Sequence, residues 1–251
     1  MIDYEKKALE ELTQWKSKMQ ENPSFFNEAT RKTQLRINKL IPEKIHKAIT
    51  ETIKQLTKAV IIGTRFTTGN PRAVTSLEET EKDVRECIRF YQTAAAAEGG
   101  VTGAGGILLG FVDFPAWLTL KMKMLFKIAR LYGYDTKDFR ERIYLLYIFQ
   151  MTFTRQSRRQ ELYPTLTNWE SESQQFNDIN SFDWRRFQQE YRDYIDVAKL
   201  FQLIPWVGAA VGAVVNHRLT RQLGNMAINA YRLRYFEGKD GSVKESGLTH
   251  T

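Results

Sequence analysis

Two long apolar segments rich in small residues constrain the fold of this chain more than any other feature. The first covers residues 99–120 and holds six glycines and one charged residue, Asp113. The second covers residues 200–217, carries no charged residue and is interrupted by Pro205. A glycine inside a helix costs about 1 kcal/mol in water, so tight helix contact or lipid must compensate. Spacings of four place small residues on one helix face: Gly99 and Gly103, Gly106 and Gly110, Gly208 and Gly212.

Three placements of the two apolar segments are open from sequence alone. They can form buried small-residue helices at the centre of a bundle, insert shallowly or re-enter a membrane, or span it. The first segment reaches the length of about 20 apolar residues that spanning requires. Asp113, the high glycine content and Pro205 in the second segment weaken the spanning interpretation.

The rest of the chain has helical periodicity and almost no strand signal, which predicts an all-α fold. Residues 3–20 place apolar side chains at spacings of four and three, as one face of a helix requires. We therefore predict a single helical-bundle domain, residues 1–236, of about eight or nine helices, with both apolar segments packed centrally. The tail 237–251 has no core residues and is predicted to be disordered. The stripe of the first helix consists of Tyr4, Ala8, Leu12, Trp15 and Met19.

Capping residues and prolines place the other helix ends. A short helix is predicted over 24–38, and a stronger one begins at Pro42, because proline fits a first helical turn. Two overlapping capping boxes, Thr75 with Glu78 and Ser76 with Glu79, precede the helix that leads into the first apolar segment. Residues 155–182 are polar and predict a weakly ordered stretch or surface excursion, and Asp183 can cap a later helix.

The end of the first apolar segment predicts a helix over about 116–131. Asp113 before Pro115 would be its N-cap, although a pair with Arg142, or a proton or ligand site, is also open. Gly133 would be the C-cap of this helix, and Asp135 would cap the next one, over about 136–152. The basic side chains of the helix over 116–131 are candidates for steering the protein toward anionic lipid headgroups. They are Lys121, Lys123, Lys127 and Arg130.

Composition excludes several classes of protein. One cysteine and three scattered histidines exclude a disulfide framework and a Cys/His zinc cluster. The net charge of +8 is spread along the chain, without the basic block that grips nucleic acid. No apolar run follows the first residues, so no signal peptide is expected and the location is predicted to be cytoplasmic.

The sequence predicts no cofactor, no metal site and no catalytic residue. The run after Thr102 fails as a dinucleotide motif because Leu108 stands where a glycine is needed. Cys87 lies on an amphipathic pattern and is expected in the core rather than as a nucleophile. One enzymatic alternative stays open, a hydrolase-type site built from Asp113 with His217 or Glu98, if the two apolar segments pack together.

An ordered set of motifs resembles the EcsC family over about residues 3–236. It comprises the glycine-rich run 98–106, the Asp-Phe-Pro at 113–115, the Tyr-Gly-Tyr-Asp at 132–135 and the Ile-Pro-Trp-Val-Gly run 204–212 with Asn216. The motif positions are the candidate functional residues: Glu98, Thr102, Gly103, Gly105, Gly106, Asp113, Pro115, Tyr132, Gly133, Pro205, Gly208, Gly212 and Asn216.

The resemblance implies a bacterial protein that works beside an ABC transporter linked to protein secretion, and it supplies no catalytic residue. We therefore expect a non-enzymatic accessory or regulatory protein, cytoplasmic or peripheral at the inner face of the cell membrane. Transporter subunits and an anionic membrane surface are the expected partners, and nucleic acid is not. A carrier of lipid or another apolar ligand is a further possibility that would need a cavity.

Overall fold

The computed structural model describes residues 3–21, 43–62, 66, 69–102, 106–154, 156–176 and 209–247. Within these ranges every regular element is a helix, which confirms the predicted all-α fold. The helices are α1 Asp3–Gln20, α2 Glu43–Ile62, α3 Leu77–Thr102, α4 Gly106–Leu131, α5 Phe139–Phe153, α6 Gln156–Thr167, α7 Trp169–Glu172, a 3₁₀ turn Ser173–Phe176 and α8 Ala209–Gly247.

The first two helices follow their predicted patterns. Helix α1 covers the predicted 3–20 and buries Ala8, Leu12 and Met19, the core-facing members of its stripe. Helix α2 starts directly after Pro42, in line with the preference of proline for the first helical turn. The helices predicted over 24–38 and after Asp183 lie outside the described residues, as do Pro205 and Gly208.

Ser76 forms one half of a predicted capping box at the start of α3. Its Oγ accepts a hydrogen bond of 3.1 Å from the backbone N–H of Glu79. The Thr75 hydroxyl instead donates to the Glu79 carboxylate, at 2.6 Å. Ser76 rather than Thr75 is therefore the N-cap, since Leu77 is the first helical residue, while Glu79 bonds Thr75 and does not complete the box.

The prediction that Asp113 caps the helix after the first apolar segment is wrong. Helix α4 begins at Gly106 and contains Pro115 in its interior. Proline in a helix removes one backbone hydrogen bond and costs about 3 kcal/mol in isolation. Burial of Phe114 and Trp117 on either side of Pro115 holds the chain in the helix, so packing overrides the local preference.

The turn after α4 has the predicted C-cap glycine. Gly133 has a φ of +85°, the left-handed conformation that glycine adopts without strain. Its N–H donates to the carbonyl of Arg130, and the N–H of Tyr134 donates to the carbonyl of Ala129. These two bonds are the Schellman pattern that ends a helix.

The cap of α5 lies three residues beyond the predicted one. Asp138 is the N-cap, and its Oδ1 accepts a hydrogen bond of 2.9 Å from the N–H of Arg140. Asp135 accepts from the N–H of Lys137 and so stabilises the turn before the helix. Both aspartates bond a backbone N–H two residues later, but only Asp138 directly precedes the first residue of α5.

The part of the polar stretch 155–182 that the structure describes is helical and anchored in the core, which corrects the prediction of weak order. Leu166, Trp169 and Phe176 are buried. The Trp169 ring lies 4.8 Å from the Tyr144 ring and 5.9 Å from the Phe176 ring, measured between centroids. Three well-spaced apolar side chains are enough to fix a segment whose average composition is polar.

Helices α3 and α8 form the centre of the molecule and run antiparallel. Glu81 bonds Arg232 near the start of α3, Ile88 meets Gly224 in the middle, and the Ala95 carbonyl accepts from Asn216 toward the end. Helix α4 packs along α3 as its antiparallel neighbour. The described parts of both apolar segments therefore lie in α3, α4 and α8, and Val214 of the second segment is 68% exposed. Central packing of the two segments stays a prediction.

Within the described part of the chain, no helix is both long enough and apolar enough to cross a membrane. Helix α8 continues to Gly247, beyond the predicted domain end at residue 236. The predicted disorder of the tail 237–251 stays a prediction.

Candidate functional site

Most of the candidate motif lies where the ends of three helices converge. Because α3 runs antiparallel to both α4 and α8, the last turns of α3 lie beside the first turns of the other two. Glu98 and Thr102 occupy the end of α3, Gly106 and Asp113 the start of α4, and Gly212 and Asn216 the start of α8. We call this region the motif end; Gly103 and Gly105 fall between the described ranges.

A buried polar node joins the three helices at the motif end. Asn216 is fully buried, and its Nδ2 donates a hydrogen bond of 2.7 Å to the carbonyl of Ala95 on α3. Its Oδ1 accepts a hydrogen bond of 2.8 Å from Nζ of Lys121 on α4. One amide thus satisfies a donor and an acceptor from two neighbouring helices, which fixes their register.

The prediction that Lys121 belongs to the basic face of α4 that steers the protein toward lipid is wrong. The Lys121 side chain is 1% exposed and lies over the Trp117 ring, with Nζ 5.4 Å from the ring centroid. It cannot steer the protein toward lipid. The sequence held the signal for this burial, since Leu118, Lys121, Leu125 and Ile128 follow one another at spacings of three, four and three, the core stripe of α4. Lys123 and Lys127 are exposed, as predicted.

Pro115 of α4 lies close to the motif end, whereas Tyr132 and Gly133 lie at the opposite end of that helix. Seventeen helical steps from Pro115 correspond to about 25 Å. The Tyr132 ring stacks on the Tyr231 ring of α8, with 4.9 Å between centroids. Burial raises the pKa of Tyr132 well above its usual value. The motif is therefore divided between two regions rather than gathered in one site.

A second buried polar cluster, which sequence analysis missed, joins α1, α3 and α8. Glu81 is fully buried and accepts from Arg232 through both carboxylate oxygens, at 2.6 and 2.7 Å. Tyr4 and Arg85 also donate to Glu81, and Arg232 reaches Glu11 of α1. Glu81 lies at an interior position three residues before Val84, but its ion-pair partner is far away in sequence, so periodicity could not find it.

The titratable side chains that the structure describes give no support to the hydrolase alternative. His217 is exposed on α8, while the side chains of Glu98 and Asp113 are not described. Arg142, the other predicted partner of Asp113, donates instead to the carbonyls of Thr136 and Lys137. Cys87 is buried, as expected, and burial raises the pKa of its thiol to about 11.

Among the described residues, no group of three histidine, cysteine, aspartate or glutamate side chains could hold a metal ion. The buried ionisable side chains of the two polar clusters are held by other side chains of the bundle. What these clusters do in the folded chain is align helices.

Comparison with known proteins tests the family resemblance of the motifs. The sequence profile of the EcsC protein family matches residues 6–236. The chain belongs to the EcsC family. It is 43% identical over 234 residues to Protein EcsC of Bacillus subtilis strain 168, which covers 93% of this chain and 97% of that protein.

A second relative is more distant. Uncharacterized protein YdbA of the same strain is 27% identical over 247 residues, covering 90% of each chain. No solved structure matches the chain. The matched range extends from α1 into α8 and contains the residues of both polar clusters described above, except Tyr4.

Proposed function

We propose that this EcsC family protein is a non-enzymatic accessory or regulatory protein that docks at the cytoplasmic face of the membrane, on its anionic surface or on the membrane subunit of an ABC transporter. The observation that carries the proposal is an exposed aromatic side chain on the same face as two exposed lysines. Phe90 of α3 is 64% exposed. Nζ of Lys127 on α4 lies 5.9 Å from the Phe90 ring centroid, and Lys123 is exposed one turn earlier on the same face of α4.

This Phe90 face has the chemistry of a peripheral membrane contact. Neither Lys123 nor Lys127 forms an ion pair within the described part of the chain. A lysine near an anionic membrane surface contributes about 1 kcal/mol of attraction, and an aromatic ring can enter the headgroup region. Arg130, the fourth predicted cation, donates from Nε to the carbonyl of Asn70 and contributes less.

Docking on a transporter subunit rather than on lipid alone rests on the family resemblance. An exposed Phe beside two lysines fits either surface, because both offer anionic groups next to apolar ones. Protease treatment of membranes distinguishes a transporter subunit from lipid, because it destroys the protein partner and leaves the lipid intact.

Co-sedimentation with vesicles tests the lipid contact. We expect binding to phosphatidylcholine vesicles that contain phosphatidylglycerol, and loss of most of it in K123Q/K127Q. The matched control is K54Q/K58Q, which removes two exposed lysines at the same spacing on α2 and should bind like the wild type. Equal binding of both double variants would rule out the Phe90 face as the contact.

Fractionation of the untagged protein from its native cells tests the location. Release of the protein from membranes by high salt is expected for docking through Lys123 and Lys127. Rebinding of the purified protein to membranes that were stripped with salt, treated with protease and washed would indicate lipid, and loss of rebinding would indicate a protein partner. Recovery of all of the protein without membranes at low salt would contradict the proposal.

A further inference from the structure

A cavity between α1, α6 and α8 carries positive charge that the described residues do not neutralise. Its volume is about 370 Å³, at the lower end for ligand sites in proteins. Arg218 and Arg221 of α8 and Arg159 of α6 line it, and no acidic side chain does. The apolar part of its wall consists of Trp15, Met19 and Met226.

The three arginines have no carboxylate partner among the described residues. Arg218 and Arg221 are exposed, and neither has an ion pair or a side-chain hydrogen bond there. Arg159 is half-buried and donates to neutral acceptors, the carbonyls of Met151 and Thr152 at 2.9 and 3.3 Å. Burial lowers the pKa of this guanidinium. Like charges held together at a partly buried site cost free energy unless an anion compensates for them.

The arginines of the neighbouring cavity, in contrast, are paired with carboxylates. This cavity shares Trp15, Asn225 and Asn229 with the first and has a volume of about 330 Å³. Its arginines, Arg85 and Arg232, are already bonded to Glu81 and Glu11. Each guanidinium group that lines that cavity is thus bonded to a carboxylate, although Lys18 also lines it, whereas none of the three guanidinium groups of the cavity at Arg159 has a carboxylate partner among the described residues.

The polar surface of α8 is arranged for an anionic ligand. Residues 197–236 contain no aspartate or glutamate, so the helix brings no repulsive charge to the cavity. Arg218 and Arg221 lie one turn apart on the same face. The amides of Gln222 and Asn225 line the same cavity and can donate further hydrogen bonds.

We propose that the cavity lined by Arg159, Arg218 and Arg221 binds a phosphoryl group carried on a small organic body. Phosphate fits because its several oxygens and its charge can accept from more than one guanidinium fork at once. The organic body would lie against Trp15, Met19 and Met226. The phosphoryl group can belong to a soluble metabolite or to a phospholipid headgroup, which share this chemistry.

Titration calorimetry with sn-glycerol 3-phosphate tests the soluble source. R218Q/R221Q should bind at least tenfold more weakly than the wild type. The control R89Q/R140Q removes two exposed arginines elsewhere and should bind like the wild type. The side chains replaced in both double variants are exposed, so thermal melting should show that each variant keeps the wild-type fold. A single R221K variant keeps the charge but loses the planar fork, and it should give an intermediate affinity.

Vesicles of phosphatidylcholine with and without phosphatidylglycerol test the lipid source. Binding of glycerol phosphate that depends on Arg218 and Arg221 supports a soluble ligand. Binding of anionic vesicles alone, with the same dependence, supports a headgroup. Equal affinities of R218Q/R221Q and R89Q/R140Q for both probes would overturn the proposal. Tighter binding of a polyglutamate peptide than of glycerol phosphate would also overturn it, since carboxylates would then be the preferred ligand.

Discussion

Nζ of Lys121 lies 2.8 Å from Oδ1 of Asn216, and this single contact joins two helices whose residues are far apart in sequence. The same amide holds the Ala95 carbonyl through Nδ2, so three helices meet at one side chain. The two residues come from parts of the chain that sequence analysis treated separately, one as a surface cation and the other as the end of an apolar segment.

Replacing Asn216 tests this node. N216A removes the acceptor for a buried ammonium and the donor for the Ala95 carbonyl, so we expect it to lower the free energy of unfolding by about 3 kcal/mol. Urea denaturation followed by circular dichroism measures the change. T119A, which removes a hydroxyl bonded only within α4, should stay within about 0.5 kcal/mol of the wild type. A similar small loss in N216A would show that the node adds little stability.

The buried pair of Glu81 and Arg232 should be more sensitive to removal of one partner than of both. R232M leaves a fully buried carboxylate with fewer donors, for an expected loss of about 3–5 kcal/mol. E81L/R232M removes both charges and should lose less than R232M alone. E11Q affects a half-exposed carboxylate and should cost under about 1 kcal/mol. Denaturant midpoints of the three variants give the comparison, and a double variant less stable than R232M would contradict it.

Gly224 should reject even one added methyl group. A Cβ at this position would lie 2.6 Å from both Cδ1 and Cγ1 of Ile88, where α8 meets α3. We expect G224A to lower stability by about 1–3 kcal/mol through overpacking, although alanine favours the helix. Gly238, in the same helix, has nothing within 4 Å of its Cβ position, so G238A should raise stability slightly. Thermal melting distinguishes the two, and equal shifts would mean that Ile88 moves aside freely.

The Tyr132 hydroxyl is buried without a hydrogen-bond partner among the described residues. Y132F should therefore raise stability by about 1 kcal/mol at neutral pH. Y144F is the matched control, because the Tyr144 hydroxyl donates to the Ala230 carbonyl at 2.7 Å, and it should lower stability by about the same amount. A loss in Y132F as large as that in Y144F would show that the Tyr132 hydroxyl has a partner.

The buried thiol of Cys87 gives a pH prediction. Burial raises its pKa to about 11 in the folded chain, against about 8.5 for an exposed thiol. The unfolded chain therefore loses its proton first as pH rises, so this thiol's contribution to stability is present below about pH 8.5 and is lost toward pH 11. At pH 8 the native protein should react slowly with a thiol reagent and the urea-unfolded protein rapidly. Equal rates would mean that the thiol is exposed.

Local patterns in the sequence determined the helices and several of their ends. The cap at Ser76 and the glycine at 133 each act within about one turn, where local hydrogen bonds decide the conformation. The stripe of α1 was readable because its apolar residues repeat at the helical period. Family membership was also readable, since it depends on the order of motifs along the chain.

Tertiary structure decided what local rules left open. Pro115 stays inside α4 because Phe114 and Trp117 are buried around it. Asp113 therefore lies within the helix and not at its N-terminus. Lys121 is buried because Asn216, which lies on α8, supplies its acceptor. Arg159, Arg218 and Arg221 share one cavity only because α6 and α8 pack against α1. In each case the deciding partner lies on another helix or in the packed core, and the free energy of packing outweighs local preference.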